Sequence, residues 1–182
     1  MALDRMAAAQ AGQMFTASTA GGTGKAPVIV MPTTTAQCAL FNGNVPSSNI
    51  CLVIAEVSMW IISGTAGLGG NMIACVSTQA QAALPGLLVS STQSGLSAKG
   101  GGASKAILAN AITLAGAPAW MVLEGRDVPA AIEIGASFRA VLDGMIIVPP
   151  QFCMGLAMLS PAGTTPLWGS CFVWQEVAML LG

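Results

Sequence analysis

The fold is decided by residues 137–177, which read SFRAVLDGMIIVPPQFCMGLAMLSPAGTTPLWGSCFVWQEV. This stretch predicts three consecutive β-strands, Ser137–Val148, Phe152–Leu159 and Leu167–Val177. Proline has no N–H group to donate to a neighbouring strand, so the prolines that separate the three runs mark breaks between strands. The stretch therefore predicts an all-β domain.

The last two of these strands are apolar on both faces. A sheet that exposes one face to water alternates apolar and polar side chains, and these strands do not. Either a second layer or a partner subunit must cover them, and we expect a partner because a chain of 182 residues leaves little material for a further layer. The predicted subunit-interface residues are Phe152, Met154, Met158, Trp168, Phe172 and Trp174.

Turn signals recur along the rest of the chain at the spacing of an all-β domain. Further strands are predicted at residues 27–31, 37–41, 50–63, 71–77, 105–114, 119–123 and 132–134. A short helix is predicted at 78–84, and the irregular stretch 79–102 is expected at an exposed edge or contact. About eight strands in two sheets is the jelly-roll count, so we predict an antiparallel jelly-roll sandwich over residues 27–182.

The longest of these strands, 50–63, has one face that is apolar throughout. That face consists of Cys51, Val53, Ala55, Val57, Met59 and Ile61. Because side chains alternate with a period of two in a strand, we predict that all six face the core. In the strand 137–148, Asp143-Gly144 predicts a bulge or a hairpin turn.

Residues 1–26 differ in composition from the rest and predict an extended N-terminal arm with a linker. Met1–Met14 suits a short helix, and Thr16–Lys25 is rich in Gly, Ser, Thr and Ala. The arm either reaches a neighbouring subunit or lacks fixed structure. Met1–Met14 has no apolar core of the length a secretory signal requires, so we expect intracellular synthesis.

The composition favours an obligate assembly. Charged residues make up 7% of the chain, hydrophobic residues make up 54%, and the formal net charge is −1. A membrane-spanning helix needs about 20 apolar residues, and the best candidate, residues 50–62, contains Glu56 and Ser58, so we expect no membrane insertion. A monomer with so few charges would expose large apolar patches, which predicts that they are buried between subunits.

The residues of the chain do not predict a catalytic, metal or nucleic-acid site. Histidine is absent, which removes Ser-His-Asp and Cys-His catalysis and most catalytic zinc sites. The six basic residues are isolated in sequence, whereas phosphate binding usually needs a cluster. The five cysteines, Cys38, Cys51, Cys75, Cys153 and Cys171, are expected to be buried and reduced. We therefore expect no enzyme activity, cofactor, metal, nucleic acid or small-molecule substrate.

Two runs carry a resemblance to a known class of proteins. Residues 143–157, DGMIIVPPQFCMGLA, and residues 168–177, WGSCFVWQEV, resemble the closing strands of jelly-roll structural proteins of tailed phages. The resemblance covers apolar strands, a Pro-Pro break and an aromatic-rich last strand. It implies a trimer-forming protein of the virion, either a capsid decoration (cement) protein or the head of a fibre. The implied partners are further copies of the chain and the major capsid protein.

Two other functions remain open at the level of sequence. A carbohydrate- or receptor-binding module would use exposed tryptophans, with Trp60, Trp120, Trp168 and Trp174 as candidates. A subunit of an extracellular filament would complete a neighbour's sheet with its N-terminal arm. The three hypotheses make different predictions. A binding module exposes an aromatic side chain beside polar groups, a cement protein hides its tryptophans, and a filament subunit polymerises without other proteins.

Overall fold

The computed structural model describes residues 5–19, 24–64, 70–78, 87–90, 92–93, 104–126, 137–160 and 166–179. Within these ranges the chain forms one α-helix, one 3-10 turn at Pro46–Ser48 and eleven strands. The elements are α1 (Arg5–Gln10), β1 (Met14–Ser18), β2 (Thr35–Asn42), β3 (Ile50–Ser63), β4 (Gly70–Thr78), β5 (Leu87–Ser90), β6 (Thr92–Gln93), β7 (Ala106–Thr113), β8 (Met121–Arg126), β9 (Ser137–Val148), β10 (Phe152–Leu159) and β11 (Leu167–Ala178).

The strands pair in a nested order that defines a jelly roll. β1 pairs with β11, β2 with β10, β3 with β9 and β4 with β8, all antiparallel. β11 also pairs with β3, and β10 also pairs with β4. The result is two packed sheets, sheet I in the order β6-β1-β11-β3-β9 and sheet II in the order β5-β7-β2-β10-β4-β8. The predicted antiparallel jelly-roll sandwich is thus confirmed.

Three strands outside the four nested pairs widen the two sheets; β7 was predicted, whereas β5 and β6 were not. β7 pairs with β2 and β5 pairs with β7, which extends sheet II, while β6 pairs with β1 at the edge of sheet I. All three lie between β4 and β8 in the chain. β5 and β6 fall within the stretch 79–102 that was predicted as irregular. The predicted strand at 132–134 and most of the predicted helix at 78–84 lie outside the described residues.

The core lies between the two sheets, and it contains the residues predicted to form a subunit interface. Met154, Met158, Phe172 and Trp174 are 0% exposed and Trp168 is 6% exposed, all within this core. Phe152 is partly buried against the same core. The assignment of these six side chains to a subunit interface is not confirmed and stays a prediction. The two sheets of one chain bury each other's inner faces, so five of the six side chains are covered without a partner, and Phe152 keeps some exposed surface.

Ring contacts join the two ends of the chain within this core. Phe15 of β1 stacks on Trp174 of β11 with a ring-centroid distance of 5.9 Å. Phe138 of β9 meets the edge of Trp168 at 5.5 Å. The closing strand β11 thus packs its tryptophans against both β1 and β9.

A bulge in β3 reverses the face that its second half presents. Ile54 and Glu56 are each paired with both neighbouring strands, β9 and β11. Ala55 between them is paired with neither strand, so the register shifts at this residue. Before the bulge, the residues that face the core are Leu52 and Ile54; after it they are Val57, Met59 and Ile61. The predicted core face is therefore correct after Ala55 and wrong before it. One extra residue moves every later side chain to the other face.

The predicted arm contributes a strand to the sandwich. Met14–Ser18 pair with β11 over five residues, so this part of the stretch 1–26 belongs to the sandwich and not to a flexible linker. Residues 27–31, predicted as a strand, lie in a connection between the sheets. Lys25 exchanges backbone hydrogen bonds with Trp168 of sheet I at 3.0 and 2.9 Å. Val28 then bonds the end of β10 in sheet II.

A buried asparagine joins the sheets at the other end of the sandwich. Asn42, at the end of β2, donates from Nδ2 to the carbonyl oxygens of Ile50 and Val148, each at 2.9 Å. Its Oδ1 accepts hydrogen bonds from the backbone and side chain of Asn44 at 3.1 and 3.0 Å. Every polar atom of the buried amide is thus used, as a buried amide requires.

Each sheet also has a cover on its outer face. On sheet II, the crossover 114–120 runs from β7 to β8 and buries Leu114 and Trp120 against Phe41, Cys75 and the other members of an outer apolar cluster. On sheet I, helix α1 places Ala8 against Ala55 and Val173. No helix among the described residues is long and apolar enough to cross a membrane.

Candidate self-association surface

Large apolar side chains are exposed in two places on the described part of the molecule. The first is a strip along the outermost strands β8 and β9, here called the β8–β9 strip, formed by Met121, Val122, Val141, Met145 and Ile147. The second is the 29–31 loop, formed by Ile29, Val30 and Met31. Val45 is exposed apart from both. Such patches mark interaction sites on soluble proteins.

The β8–β9 strip follows the side of the sandwich where the two sheets end. β8 is the outermost strand of sheet II and β9 is the outermost strand of sheet I. The two strands meet where the backbone N–H of Arg139 donates to Glu124 at 2.5 Å. In β9 the odd-numbered residues are exposed and the even-numbered ones, apart from Gly144, are buried, so Val141, Met145 and Ile147 project outward together.

A network of charges lies beside the strip on the outer face of sheet I. Glu56 accepts two hydrogen bonds from Arg139, at 2.6 Å from Nε and 2.7 Å from Nη2. Arg5 of helix α1 lies 3.8 Å from Glu56 and bonds Asp143 as well. The hydrogen bonds from Arg139 are the main reason that the pKa of Glu56 lies below its usual value. Burial opposes this decrease but is the weaker influence.

A bulge positions Asp143 for this network. Asp143 and Gly144 have φ angles of 45° and 86°, and the register between β3 and β9 shifts at this point. Of the two predicted alternatives for Asp143-Gly144, the bulge is therefore confirmed. Bulges re-aim side chains at sheet edges, and this one places the Asp143 carboxylate next to the guanidinium of Arg5. The same guanidinium donates to the carbonyl of Ala55, at the bulge of β3, at 3.2 Å.

The 29–31 loop is presented by a rigid frame. It lies between Pro27 and Pro32, whose rings fix one backbone torsion each. Val28, just before it, donates to the carbonyl of Met158 at 2.8 Å and accepts from Ser160 at 2.8 Å. The Gln37 side chain donates to the carbonyl of Lys25 at 3.1 Å. These bonds fix the start of the loop at the end of β10.

The four tryptophans all lie in the described residues, and none of them is exposed. Trp168 and Trp174 are in the core, and Trp60 and Trp120 are half-buried. The indole of Trp60 lies against Gly169 on the outer face of sheet I, where a Cβ atom on that glycine would come within 2.7 Å of the ring. Trp120 packs on the outer cluster of sheet II. The structure thus places the candidate sugar-binding aromatics in packing positions.

The cysteines are free thiols, as the sequence predicted. Cys38, Cys51, Cys75 and Cys153 are buried and Cys171 is half-buried. Burial raises the pKa values of Cys38, Cys75 and Cys153 to about 12. Such thiols are poor nucleophiles near neutral pH. Within the described ranges, no group of three or more Cys, Asp or Glu side chains could hold a metal ion.

The sequence did not reveal the β8–β9 strip. Residues 145–148 read Met-Ile-Ile-Val, and an unbroken apolar run does not indicate which face turns outward. The usable signal was the alternation in the first half of the strand, where Arg139 and Asp143 flank Val141 at intervals of two. Those charges mark the outer face, and continuing the period from them would have placed Met145 and Ile147 outward.

No family model matches the chain, and no curated protein matches it in sequence. Among solved structures, the chain is similar to one in the tomato aspermy virus structure, with 7% identity, a TM-score of 0.27 and coverage of 94% of this chain and 81% of that chain. It is also similar to one in the Israel acute paralysis virus pentamer, with 9% identity, a TM-score of 0.20 and coverage of 96% and 93%. It is similar as well to one in the unassembled KI polyomavirus VP1 pentamer, with 10% identity, a TM-score of 0.14 and coverage of 92% of this chain and 75% of that chain. At these TM-scores the likenesses carry no argument, and the jelly-roll assignment rests on the strand pairing.

Proposed function

We propose that this protein is a non-enzymatic structural protein of a virion, a decoration (cement) protein that assembles as a homotrimer. In this function it binds neighbouring subunits of the major capsid protein and stabilises the shell. The observation that carries the proposal is the combination of a complete jelly roll with an apolar strip left exposed along its β8–β9 side. It is made in the cytoplasm of the host and acts in the particle.

Other functions of jelly-roll proteins receive less support from the side chains. Jelly rolls serve in viral capsids, in lectins and in the metal-binding cupins. A cupin needs metal ligands, and this chain has no histidine. A lectin commonly presents an aromatic ring to a sugar, whereas all four tryptophans here are buried or half-buried in packing contacts. The virion function requires neither feature.

The surface chemistry supports self-association. The whole chain has six basic and seven acidic residues. Five of these thirteen, Arg5, Glu56, Glu124, Arg139 and Asp143, are used in contacts with one another or with the backbone beside the strip. A surface with a low share of charged residues and exposed large apolar side chains is typical of a subunit whose contacts are permanent.

The filament alternative is less favoured by the placement of the first strand. A filament subunit of the predicted kind would insert its N-terminal arm into a neighbour's sheet. Here Met14–Ser18 complete the chain's own sheet by pairing with β11. That position in sheet I is therefore already occupied within one copy.

The test is the mass of the purified full-length protein in solution, followed by binding to shells. Light scattering should give a discrete trimer. The protein should then co-sediment with empty shells assembled from the major capsid protein of the virus that encodes it, and should raise their melting temperature. A soluble monomer at all concentrations would contradict the proposal. So would a trimer that does not co-sediment with shells and is retained on a glycan array.

A further inference from the structure

We propose that the trimer forms head to tail, with the β8–β9 strip of one copy binding the 29–31 loop of the next copy. This inference deepens the proposed function and rests on the self-association stated there. It assigns one partner to each exposed apolar patch of the described residues except the single side chain of Val45.

The two patches lie at different places on the sandwich, so they cannot form one continuous surface. Ile147 is next to the end of β9, where the chain turns through Pro149-Pro150 into β10. The 29–31 loop follows Val28, which is bonded beside Leu159 at the far end of β10. One patch therefore follows a side and one end of the molecule, and the other lies at the opposite end.

Two different patches on one chain are what a head-to-tail contact requires. In a two-fold dimer the same surface meets itself, and a single self-complementary patch is sufficient. In a head-to-tail contact one surface binds a second, different surface, and the contacts close into a ring when the rotation between copies is a simple fraction of a turn. A closed ring of three buries one strip and one loop at every contact and leaves neither unpaired.

The charges around the patches are complementary. The strip is bordered by two arginines and three carboxylates, a net charge of −1, formed by Arg5, Arg139, Glu56, Glu124 and Asp143. The loop is uncharged, and the charged residue nearest to it in sequence is Lys25, at its base. Lys25 is partly exposed, so its ammonium group is available to the acidic border of a partner's strip.

The frame of the loop lowers the cost of binding. Pro27 and Pro32 restrict the backbone on both sides of the loop, and Val28 is already fixed to β10. A segment that is held in place before binding loses less conformational entropy on binding. Val30, at the centre, is 69% exposed, and Met145 of the strip is 73% exposed. These two side chains are the most exposed of the large apolar residues described, and each can be buried by a partner.

The experiment uses two full-length variants, Val30→Asp and Met145→Asp, that each damage one patch. Each variant alone should be monomeric in light scattering, with the dissociation constant raised more than about tenfold by the carboxylate placed in an apolar contact. A mixture of the two should form a one-to-one dimer that grows no further. The intact strip of Val30→Asp can bind the intact loop of Met145→Asp, and the two damaged patches block the next contact.

The matched control is Val45→Asp, which introduces the same charge at an exposed residue outside both patches. It should keep the mass of the wild type. Circular dichroism and thermal unfolding of all three variants establish that each is folded. As a second readout that does not depend on charge, Val30→Cys/Met145→Cys in a Cys171→Ser background should be crosslinked between chains by a short bismaleimide, and neither single cysteine variant in that background should.

Each outcome bears on a different claim. If Val30→Asp still dimerises alone while Met145→Asp does not, the strip binds itself across a two-fold axis and the head-to-tail inference is wrong. If both variants keep the wild-type trimer, self-association stands but uses another surface. If the wild type is itself monomeric, the self-association in the proposed function fails and the inference fails with it.

Discussion

The two outer faces of the sandwich are covered in different ways. On sheet II the crossover 114–120 lies over the sheet mainly through apolar contacts, with Leu114 and Phe41 buried, and with one hydrogen bond from the Ser77 hydroxyl to the carbonyl of Ala115 at 3.2 Å. On sheet I, the six-residue helix α1 contributes the buried side chain of Ala8 and is held by the ion pairs of Arg5. The first cover depends on buried area, and the second depends on charges near the surface.

This difference predicts that the covers respond to different conditions. Buried apolar area contributes about 25 cal/mol per Å² and is insensitive to salt and mild acid. Exposed ion pairs contribute between about 0 and 1 kcal/mol and weaken when salt is added or when a carboxylate is protonated. The crossover is therefore expected to be a permanent part of the domain, and helix α1 a part whose attachment depends on conditions.

The largest contrast is expected in thiol reactivity. Cys75 and Cys153 lie under the crossover, and burial raises their pKa values to about 12. Cys171 is half-buried on sheet I, 3.4 Å from the hydroxyl of Thr16. Iodoacetamide should label Cys171 in the native protein at least about 100-fold faster than the other two, since their labelling requires opening of the domain. Mass spectrometry of timed samples measures this, with Cys171→Ser as control, and equal rates would contradict a permanent crossover.

Removal of an anchor from each cover should give unequal losses of stability. Leu114→Ala should lower the free energy of unfolding by about 2–3 kcal/mol because it leaves a cavity over sheet II. Arg5→Ala should lower it by less than about 1 kcal/mol, as expected for a surface ion pair. Urea unfolding of both variants beside the wild type provides the measurement. A greater loss for Arg5→Ala would reverse the comparison.

Two glycines allow the same substitution on both faces. A Cβ at Gly155 would lie 2.9 Å from Cys75 Sγ and 3.5 Å from Leu114 Cδ1, beneath the crossover. A Cβ at Gly169 would lie 2.7 Å from the indole of Trp60, which is half-buried and can tilt toward solvent. Gly155→Ala should destabilise the protein by about 1–3 kcal/mol and Gly169→Ala by less. Thermal unfolding of both variants measures the difference in stability. Equal losses of stability would mean that the crossover moves aside as easily as Trp60.

The smallest effect is expected from acid on Glu56. Its folded pKa is lowered, so its ionised form stabilises the fold above the unfolded pKa of about 4.3, and this contribution is lost as pH falls through the folded pKa. Glu56→Gln should therefore be less stable than the wild type at about pH 7, and the difference should shrink at about pH 3. Urea midpoints at both values test this. A difference that stays constant with pH would show that charge on Glu56 does not hold the sheet I cover.

The sequence predicted those parts of the fold that depend on local pattern. The bounds of β3, β9 and β10 are the predicted ones, and β11 extends one residue further to Ala178. The first three of these strands are followed by Gly, Pro and Ser in turn, so the local sequence limits them. The antiparallel jelly roll followed from their number and spacing.

The missing parts depend on contacts between distant residues. β1 has only five residues, MFTAS, and begins a composition typical of linkers, so its strand character appears only through pairing with β11. The bulge at Ala55 has no local signal, and without it the alternation in β3 assigns Cys51 and Val53 to the wrong face. The predicted interface residues show the same limit of a local pattern. An apolar strand shows that it is covered, but it does not show whether its own chain or a partner covers it.

The pairing of β1 with β11 also governs when the domain can form during synthesis. Thr16 donates to the carbonyl of Phe172, 156 positions later in the sequence. Sheet I therefore cannot be completed until the ribosome has released nearly all of the described chain. Topologies dominated by such distant contacts fold in about milliseconds to seconds, slower than helical proteins. During that delay the apolar faces of both sheets are open, so the nascent chain is expected to depend on a chaperone or on low local concentration until β11 arrives.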